Sequence, residues 1–189
     1  AGWEDTDGDG VLDKEIDGKK TDFKAEILFN QGNKSRESLG QMMSSEAKKI
    51  GVQIEVVALD WKTMIDDRIK PLNYDMFIIG WLNTPEGGDP SQLWHSNQIK
   101  NGSNYLGYSN PEVDRLTEEI RRTVDKNKRD ALFHKFQEIL YEDQPCVFTV
   151  ASKNRMAIHK RFQNAEPSSL RPGHFEHRFW SPTANVRYK

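Results

Sequence analysis

Cysteine is almost absent from this sequence, and so are the motifs of several large enzyme families. The single Cys146 excludes an internal disulfide. It follows Pro145 in an apolar run, which favours a buried, inert thiol over a nucleophile. The sequence has no Walker loop, no dinucleotide-binding glycine pattern, no Gly-x-Ser-x-Gly and no His-Glu-x-x-His. No reaction that depends on those motifs is therefore expected.

The sequence also lacks a large excess of positive or negative charge, and it lacks long apolar runs. The 189 residues include 27 basic and 29 acidic side chains, for a net charge of −2. No global field attracts nucleic acid, so no nucleic-acid partner is expected. No apolar run approaches the ~20 residues that cross a bilayer. The first residues lack a signal-peptide pattern, so we expect a mature form or a fragment.

The strongest local signal is an apolar run that leads into a polar loop. Residues 76–79 predict a short strand, within 74–81, that is buried on both faces. Gly80 and Trp81 end it, and residues 83–90 are almost all turn formers. Ligand sites of α/β proteins lie beyond the carboxyl ends of strands, so Trp81 is a candidate binding residue. The alternative is a packing tryptophan beside an exposed loop.

The order of the predicted elements indicates the fold class. Strands are predicted at residues 23–30, 52–59 and 74–81, with helices at 34–50 and 61–69 between them. Alternating strands and helices favour an α/β fold with a central, largely parallel sheet flanked by helices. Trp61 is expected on the core-facing side of the second helix, and Met42 on the apolar face of the first. Asp17-Gly18 predicts a hairpin turn before these elements.

The second half of the sequence predicts mainly helices. They are expected at about residues 90–96, from Pro111 onward with Asn110 as the cap, and at 128–142. Val124 is expected on the buried stripe of the middle helix. Residues 147–150 and 155–159 predict two short strands. The last 30 residues carry several aromatic side chains without helical or strand periodicity.

An acidic, glycine-rich loop near the start resembles a calcium-binding loop. Its proposed ligands are four carboxylates and one backbone carbonyl, from Asp5, Asp7, Asp9, Asp13 and Val11. Gly10 stands where such a loop must turn sharply. Ile16, however, takes the place of the bidentate acid. The sequence therefore predicts weak calcium binding, and the alternative is an acidic turn that holds no ion.

Six short motifs in order resemble the C-terminal part of family 5 extracellular solute-binding proteins, the peptide- and nickel-binding components of ABC importers. The motifs are Gly2-Trp3 with the acidic loop, Gly80-Trp81, Asp89-Pro90, Asn104-Tyr105, Gly107 to Asp114, and Gln137-x-x-Leu140-x-x-Asp143-x-Pro145. Each motif is weak alone, but together they span most of the chain.

The resemblance implies a periplasmic binding protein-like fold of type II that captures a solute without catalysis. Residues 1–150 would form the second ligand-binding lobe, and residues 151–189 would return towards a first, N-terminal lobe that is missing here. The expected partners are a peptide or other small solute, that missing lobe and the membrane subunits of an ABC importer. The expected location is periplasmic or at the cell surface.

The ligand-binding residues that the loop and the resemblance indicate are Trp81, Asn83, Thr84, Glu86, Asp89, Asn104 and Tyr105. In peptide-binding members, an acid three residues after the tryptophan neutralises the peptide's amino terminus. Thr84 holds that position here, and Ile78 stands where some members have an arginine. Glu86 or Asp89 replaces the lost acid only if the loop around Gly87-Gly88 folds back. Two alternatives remain, a metal-dependent hydrolase and a calcium-stabilised interaction domain.

Overall fold

The computed structural model describes residues 2–81, 88–151, 155–168 and 173–183. The chain divides into two compact units, Ala1–Trp81 with Gln92–Asp114, and Leu82–Ser91 with Arg115–Lys189. This division does not coincide with residue 150, and the assignment of residues 151–189 to a returning segment stays a prediction. None of the described helices combines the length and apolar character needed to cross a membrane.

The first unit begins with an antiparallel hairpin. Strands β1 (Asp13–Ile16) and β2 (Lys19–Asp22) pair from Asp13 with Asp22 to Ile16 with Lys19. Asp17 and Gly18 connect them with φ values of 52° and 75°. Two positive φ values at the centre of a two-residue turn match the right-handed twist of the strands. The predicted hairpin is therefore confirmed.

A parallel sheet of three strands forms the centre of this unit. Strand β3 (Lys24–Asn30) lies between β4 (Gln53–Leu59) and β5 (Met76–Phe77). The sequence prediction for β5 was wrong in two ways. The strand is only two residues long, and its apolar run is half-buried because it lies at the edge of the described sheet. The strand with the buried centre is β3, where Ile27, Leu28 and Phe29 are almost inaccessible.

Side chains alternate between two faces of the sheet, and each face receives one helix. Helix α1 (Lys34–Lys48) approaches β4 closely at Gly40, where a Cβ atom would lie 2.9 Å from Cγ1 of Val56. The hydroxyl of Ser44 on α1 also donates to the carbonyl of Ile54. Gly40 and Ser44 therefore face the sheet. Met42, which the sequence placed on the apolar face, is 57% exposed.

The other face is covered by an irregular helix. Helix α2 (Trp61–Thr63) is capped by Asp60 and continues as a π-helix, Met64–Ile69. The main apolar cluster of this face is formed by Leu28, Met64, Ile65 and Ile69, with Val57, Leu59, Tyr74, Phe77, Ile79 and Tyr105 packed against it. The predicted helix is present, but the expectation for Trp61 was wrong: as the first helical residue it is 52% exposed.

The remaining described elements are helical. They are α3 (Ser91–Trp94), α4 (Gln98–Asn101), α5 (Pro111–Arg122), α6 (Lys126–Asp143) and a 3₁₀ turn at Glu176–Arg178. Asn110 caps α5 as predicted, since its Oδ1 accepts from the amide of Glu112 at 3.0 Å. Val124 is 92% exposed because α5 ends at Arg122, so its predicted burial was wrong.

The two short strands predicted after α6 are also corrected. Residues 147–151 and 155–159 are described and contain no strand. Val147 and Val150 are 76% and 79% exposed. Their β-branched composition gives a local preference for extended structure, but a strand needs a neighbour to pair with and a surface to pack on.

Candidate ligand-binding site

An open aromatic stack lies just beyond the carboxyl end of β5. Trp81 follows the short strand, and its ring stacks on Tyr105 with a centroid distance of 5.9 Å and an interplanar angle of 30°. Trp81 remains 46% exposed. A flat, half-open pair of rings offers apolar area and a rigid platform, which suits recognition by stacking and shape.

Tyr105 is held firmly against the sheet. Its side chain packs on the main apolar cluster. Its backbone carbonyl accepts a hydrogen bond from the hydroxyl of Tyr74, the residue two positions before β5. Burial raises the pKa of Tyr74, so this hydroxyl stays protonated and able to donate. The partner ring of Trp81 is therefore fixed by its backbone as well as by packing.

Asn104 fixes the turn that carries Tyr105. Its side chain is fully buried, and its Nδ2 donates to the carbonyls of His95 at 3.2 Å and Tyr108 at 2.8 Å. Its Oδ1 accepts from the amide of Tyr108 at 3.2 Å. The sequence predicts Asn104 as a ligand contact, and that stays a prediction. In this structure its amide binds backbone and holds the 95–108 segment closed.

A cationic group that no sequence motif indicates lies at the same edge of the sheet. Arg36, in the first turn of α1, donates from Nη1 to Oδ1 of Asn30, the last residue of β3. Its guanidinium carbon lies 5.9 Å from the ring centroid of Trp61. A Cβ atom at Gly80 would lie 3.3 Å from Nη2 of Arg36, so the guanidinium packs beside the residue that precedes Trp81.

The position of Arg36 and Trp61 could have been inferred from the sequence. Parallel strands end at one edge of a sheet, and side chains that follow them meet there. Trp61 follows β4 as directly as Trp81 follows β5, and Arg36 follows β3 by one turn. The apolar character of Trp61 favoured a core position instead. The informative feature was the position of Trp61 directly after a predicted strand.

The loop after Trp81 contains three more predicted contacts. Asn83, Thr84 and Glu86 lie outside the described residues. Asp89 is described in the second unit, where its Oδ1 accepts from the amide of Ser91 at 2.9 Å and from its hydroxyl at 2.6 Å. Burial alone would raise the pKa of Asp89. The hydrogen bonds from Ser91 and the charge of Arg121 outweigh this effect, so the pKa is lowered. Asp89 therefore supports the start of α3, and its predicted contact with a solute stays a prediction.

The acidic loop brings together three of its four predicted carboxylates. Oxygens of Asp5, Asp7 and Asp13 lie within 4.8 Å of one another, whereas Asp9 is outside this group among the described residues. The Oδ1 of Asp9 instead accepts from the amide of Val11 at 2.8 Å. Both carboxylate oxygens of Asp5 accept backbone amides within the loop.

A lysine from the hairpin compensates part of the negative charge of this group. Nζ of Lys20 pairs with Asp7 and lies 3.3 Å from Oδ2 of Asp13. Hydrogen bonds with Lys20 lower the pKa of Asp7, and those with Thr6 are the main cause that lowers the pKa of Asp13. A calcium ion would have to displace this ammonium group. Calcium binding by the five predicted ligands stays a prediction, and the geometry favours low affinity.

Comparison with known proteins gives a consistent family assignment. The sequence model described as "Bacterial extracellular solute-binding proteins, family 5 Middle" matches residues 1–104. The chain is 36% identical over 160 residues to the oligopeptide-binding protein AppA of Bacillus subtilis, a match that covers 84% of this chain and 28% of AppA.

Solved structures agree with the sequence comparison. The structure of AppA from Bacillus subtilis in complex with a nonapeptide matches at a TM-score of 0.64 and 35% identity, over 76% of this chain and 28% of that chain. The structure of NikZ from Campylobacter jejuni in complex with Ni(L-His) matches at 0.60 and 29%, over 76% and 28%. The chain thus spans a little more than a quarter of the length of these relatives.

Proposed function

We propose that this chain, which belongs to the family 5 bacterial extracellular solute-binding proteins, forms one wall of a peptide-binding site in the capture protein of an ABC importer. The fold is the α/β lobe of a type II periplasmic binding protein. Members of this extracellular family act in the periplasm or at the cell surface. The relatives named above bind an oligopeptide or a nickel–histidine complex, and the higher identity to the oligopeptide-binding protein favours a peptide.

The observation that carries this proposal is the half-open stack of Trp81 on Tyr105. Its two rings lie where the strands of the sheet end and where solutes bind in α/β folds. Trp81 keeps almost half of its surface accessible while its partner is anchored by Tyr74 and by the turn of Asn104. A bound peptide would cover the exposed part of Trp81 and lose little entropy in doing so, since the platform is already rigid.

We propose binding without chemistry at this site. Beyond the sheet edge lie two indoles, a phenol, a guanidinium and an amide, from Trp61, Trp81, Tyr105, Arg36 and Asn30. Groups of these kinds recognise solutes by stacking and hydrogen bonds. The relatives are solute-binding proteins. Asn83, Thr84 and Glu86 are proposed to add polar contacts from the loop. A free amino terminus would bind less strongly than in members that carry an acid at the position of Thr84.

The proposed partners follow from the family. The solute is a peptide, the rest of the site comes from a first lobe, and the membrane subunits of an importer receive the solute. One lobe covers only part of a solute, so this chain alone should bind a peptide weakly.

NMR titration of this chain with tetraalanine tests the proposal. The indole signal of Trp81, assigned with Trp81→Phe, should shift with a dissociation constant near the ~1 mM that corresponds to about −4 kcal/mol. Trp180, which is 57% exposed in the second unit, is the matched control and should not shift.

Two results would argue against the proposal. A Trp81 signal that ignores peptides but follows nickel–histidine would assign the wall to another solute. Submicromolar binding of a peptide by this chain alone would show that no second lobe is needed, contrary to the proposed division of the site.

A further inference from the structure

We propose that Arg36, together with the exposed face of Trp61, is a subsite for a carboxylate group of the bound solute. The inference rests on the proposed function, since it assigns the charge preference of the same site. No sequence motif of the chain pointed to either residue. The carboxylate can come from the C-terminus of a peptide or from an acidic side chain, and the test below separates the two sources.

The geometry gives Arg36 a fixed position at the sheet edge. Its backbone belongs to the first turn of α1, which is capped by Asn33 and follows β3 after a short turn. One N–H group is used by Oδ1 of Asn30. The ring of Trp61 lies on one side of the guanidinium, just within the ~6 Å range of a cation–π pair. The backbone at Gly80 lies close to Nη2. Three strand ends thus hold one planar cation.

The charge of Arg36 is not neutralised by the described part of the chain. Arg68 pairs with Glu26, and Arg115 pairs with Glu119 at 2.5 Å. Among the described residues Arg36 has no carboxylate within ion-pair distance, and its hydrogen-bonded partner is a neutral amide. Burial is the cause that lowers the pKa of Arg36. A half-buried cation that has no anionic partner gains more from binding a carboxylate than a fully hydrated cation does.

Arginine chemistry then defines the ligand class. A guanidinium has five N–H donors in a plane and matches the two oxygens of a carboxylate. One donor is used by Asn30, so others remain for a ligand. Trp61 supports one face of the guanidinium and is 52% exposed, so it offers apolar contact beside the charge. An anionic group attached to an aliphatic or aromatic chain fits this arrangement.

The test is an NMR titration of the chain with two pairs of peptides. The first pair is tetraalanine as free acid and as C-terminal amide. The second pair is Ala-Ala-Glu-Ala amide and Ala-Ala-Gln-Ala amide. In one of the pairs the peptide with the carboxylate should bind about fivefold more tightly, as expected for a partly exposed ion pair. The first pair identifies the C-terminus as the source, and the second identifies an acidic side chain.

Variants connect this preference to Arg36. Arg36→Gln should reduce the fivefold preference to a ratio of about one. Arg36→Lys should keep only part of the preference, because lysine lacks the planar pair of N–H donors that matches a carboxylate. Lys34→Gln is the matched control: it removes one positive charge from the same turn of α1, where Lys34 pairs with Glu37, and should keep the preference. Helical circular dichroism verifies that each variant folds.

Each outcome decides the inference. A carboxylate preference that Arg36→Gln removes, with the Trp61 indole shifting in step, supports it. The same preference in Arg36→Gln, or no preference in either pair while Trp81 still responds to peptides, overturns it and leaves the proposed function intact. A Trp81 signal that ignores all four peptides overturns both.

Discussion

Replacing Asn104 by alanine tests whether the aromatic platform depends on one buried amide. The substitution removes three hydrogen bonds, two to the carbonyls of His95 and Tyr108 and one from the amide of Tyr108. Each such bond contributes about 1 kcal/mol net, so we expect a loss of about 3 kcal/mol in the free energy of unfolding. The backbone groups that lose these hydrogen bonds are part-buried, so water cannot fully replace the lost partner.

Urea unfolding followed by circular dichroism measures this loss. The dependence of the free energy of unfolding on urea concentration should stay unchanged, since the surface exposed on unfolding is nearly the same. The urea concentration at the midpoint of unfolding should fall. Near-ultraviolet circular dichroism should also change, because the turn that positions Tyr105 against Trp81 loosens. Asn101→Ala is the matched control: Asn101 is exposed at the end of α4, and its loss should cost less than about 0.5 kcal/mol.

A loss below about 1 kcal/mol for Asn104→Ala would refute this reasoning. The turn would then hold without its buried amide. If the variant kept its stability and lost peptide binding instead, Asn104 would be a ligand contact, as the sequence predicts.

Three further predictions concern the platform and the acidic loop. Trp81→Ala should abolish the peptide-induced shift of the Trp61 indole but cost only about 2 kcal/mol of stability, because almost half of the Trp81 ring is already exposed. A loss of ~3–5 kcal/mol in urea unfolding would instead make Trp81 a core residue. Lys20→Gln should allow millimolar calcium to raise the melting temperature by mass action, and Asp7→Ala added to it should remove that rise; a Lys20→Gln protein that ignores both calcium and chelator would reduce the loop to an acidic turn. Because hydrogen bonds from Thr6 lower the pKa of Asp13 below 3.8, its contribution to stability is complete above about pH 4 and is lost as the pH falls through the lower folded-state pKa. Thr6→Val should therefore flatten the fall of stability below about pH 4, and an unchanged acid profile in urea unfolding would exclude this linkage.

Periodicity predicted the elements of the first unit well because it records local choices. Strand β3, helix α1 and strand β4 begin and end within two residues of their predicted bounds. The turn at Asp17-Gly18 and the cap at Asn110 were equally readable, since each depends on the residue's own backbone preferences. The family resemblance from six ordered motifs then led to the correct fold class.

The errors concern properties that depend on distant parts of the chain. An apolar run identifies β5 but not its place at the sheet edge, which is set by pairing with β3. The pair Asn104-Tyr105 marks a motif, but the sequence does not show that the amide turns inward and the ring faces Trp81. The proposal for Arg36 depends on its contacts with Asn30, Trp61 and Gly80, which come from separate segments.

The close packing of α1 on the sheet at Gly40 links the proposed carboxylate subsite to a residue that would not contact the solute. Gly40 is one helical turn, about 6 Å, after Arg36, and a methyl group there would meet Val56 at 2.9 Å. A larger residue at position 40 would lift the helix from the sheet and carry the guanidinium away from Asn30 and Trp61. Selection or protein engineering can therefore change the charge preference of the proposed subsite through a buried glycine and leave every binding side chain unchanged.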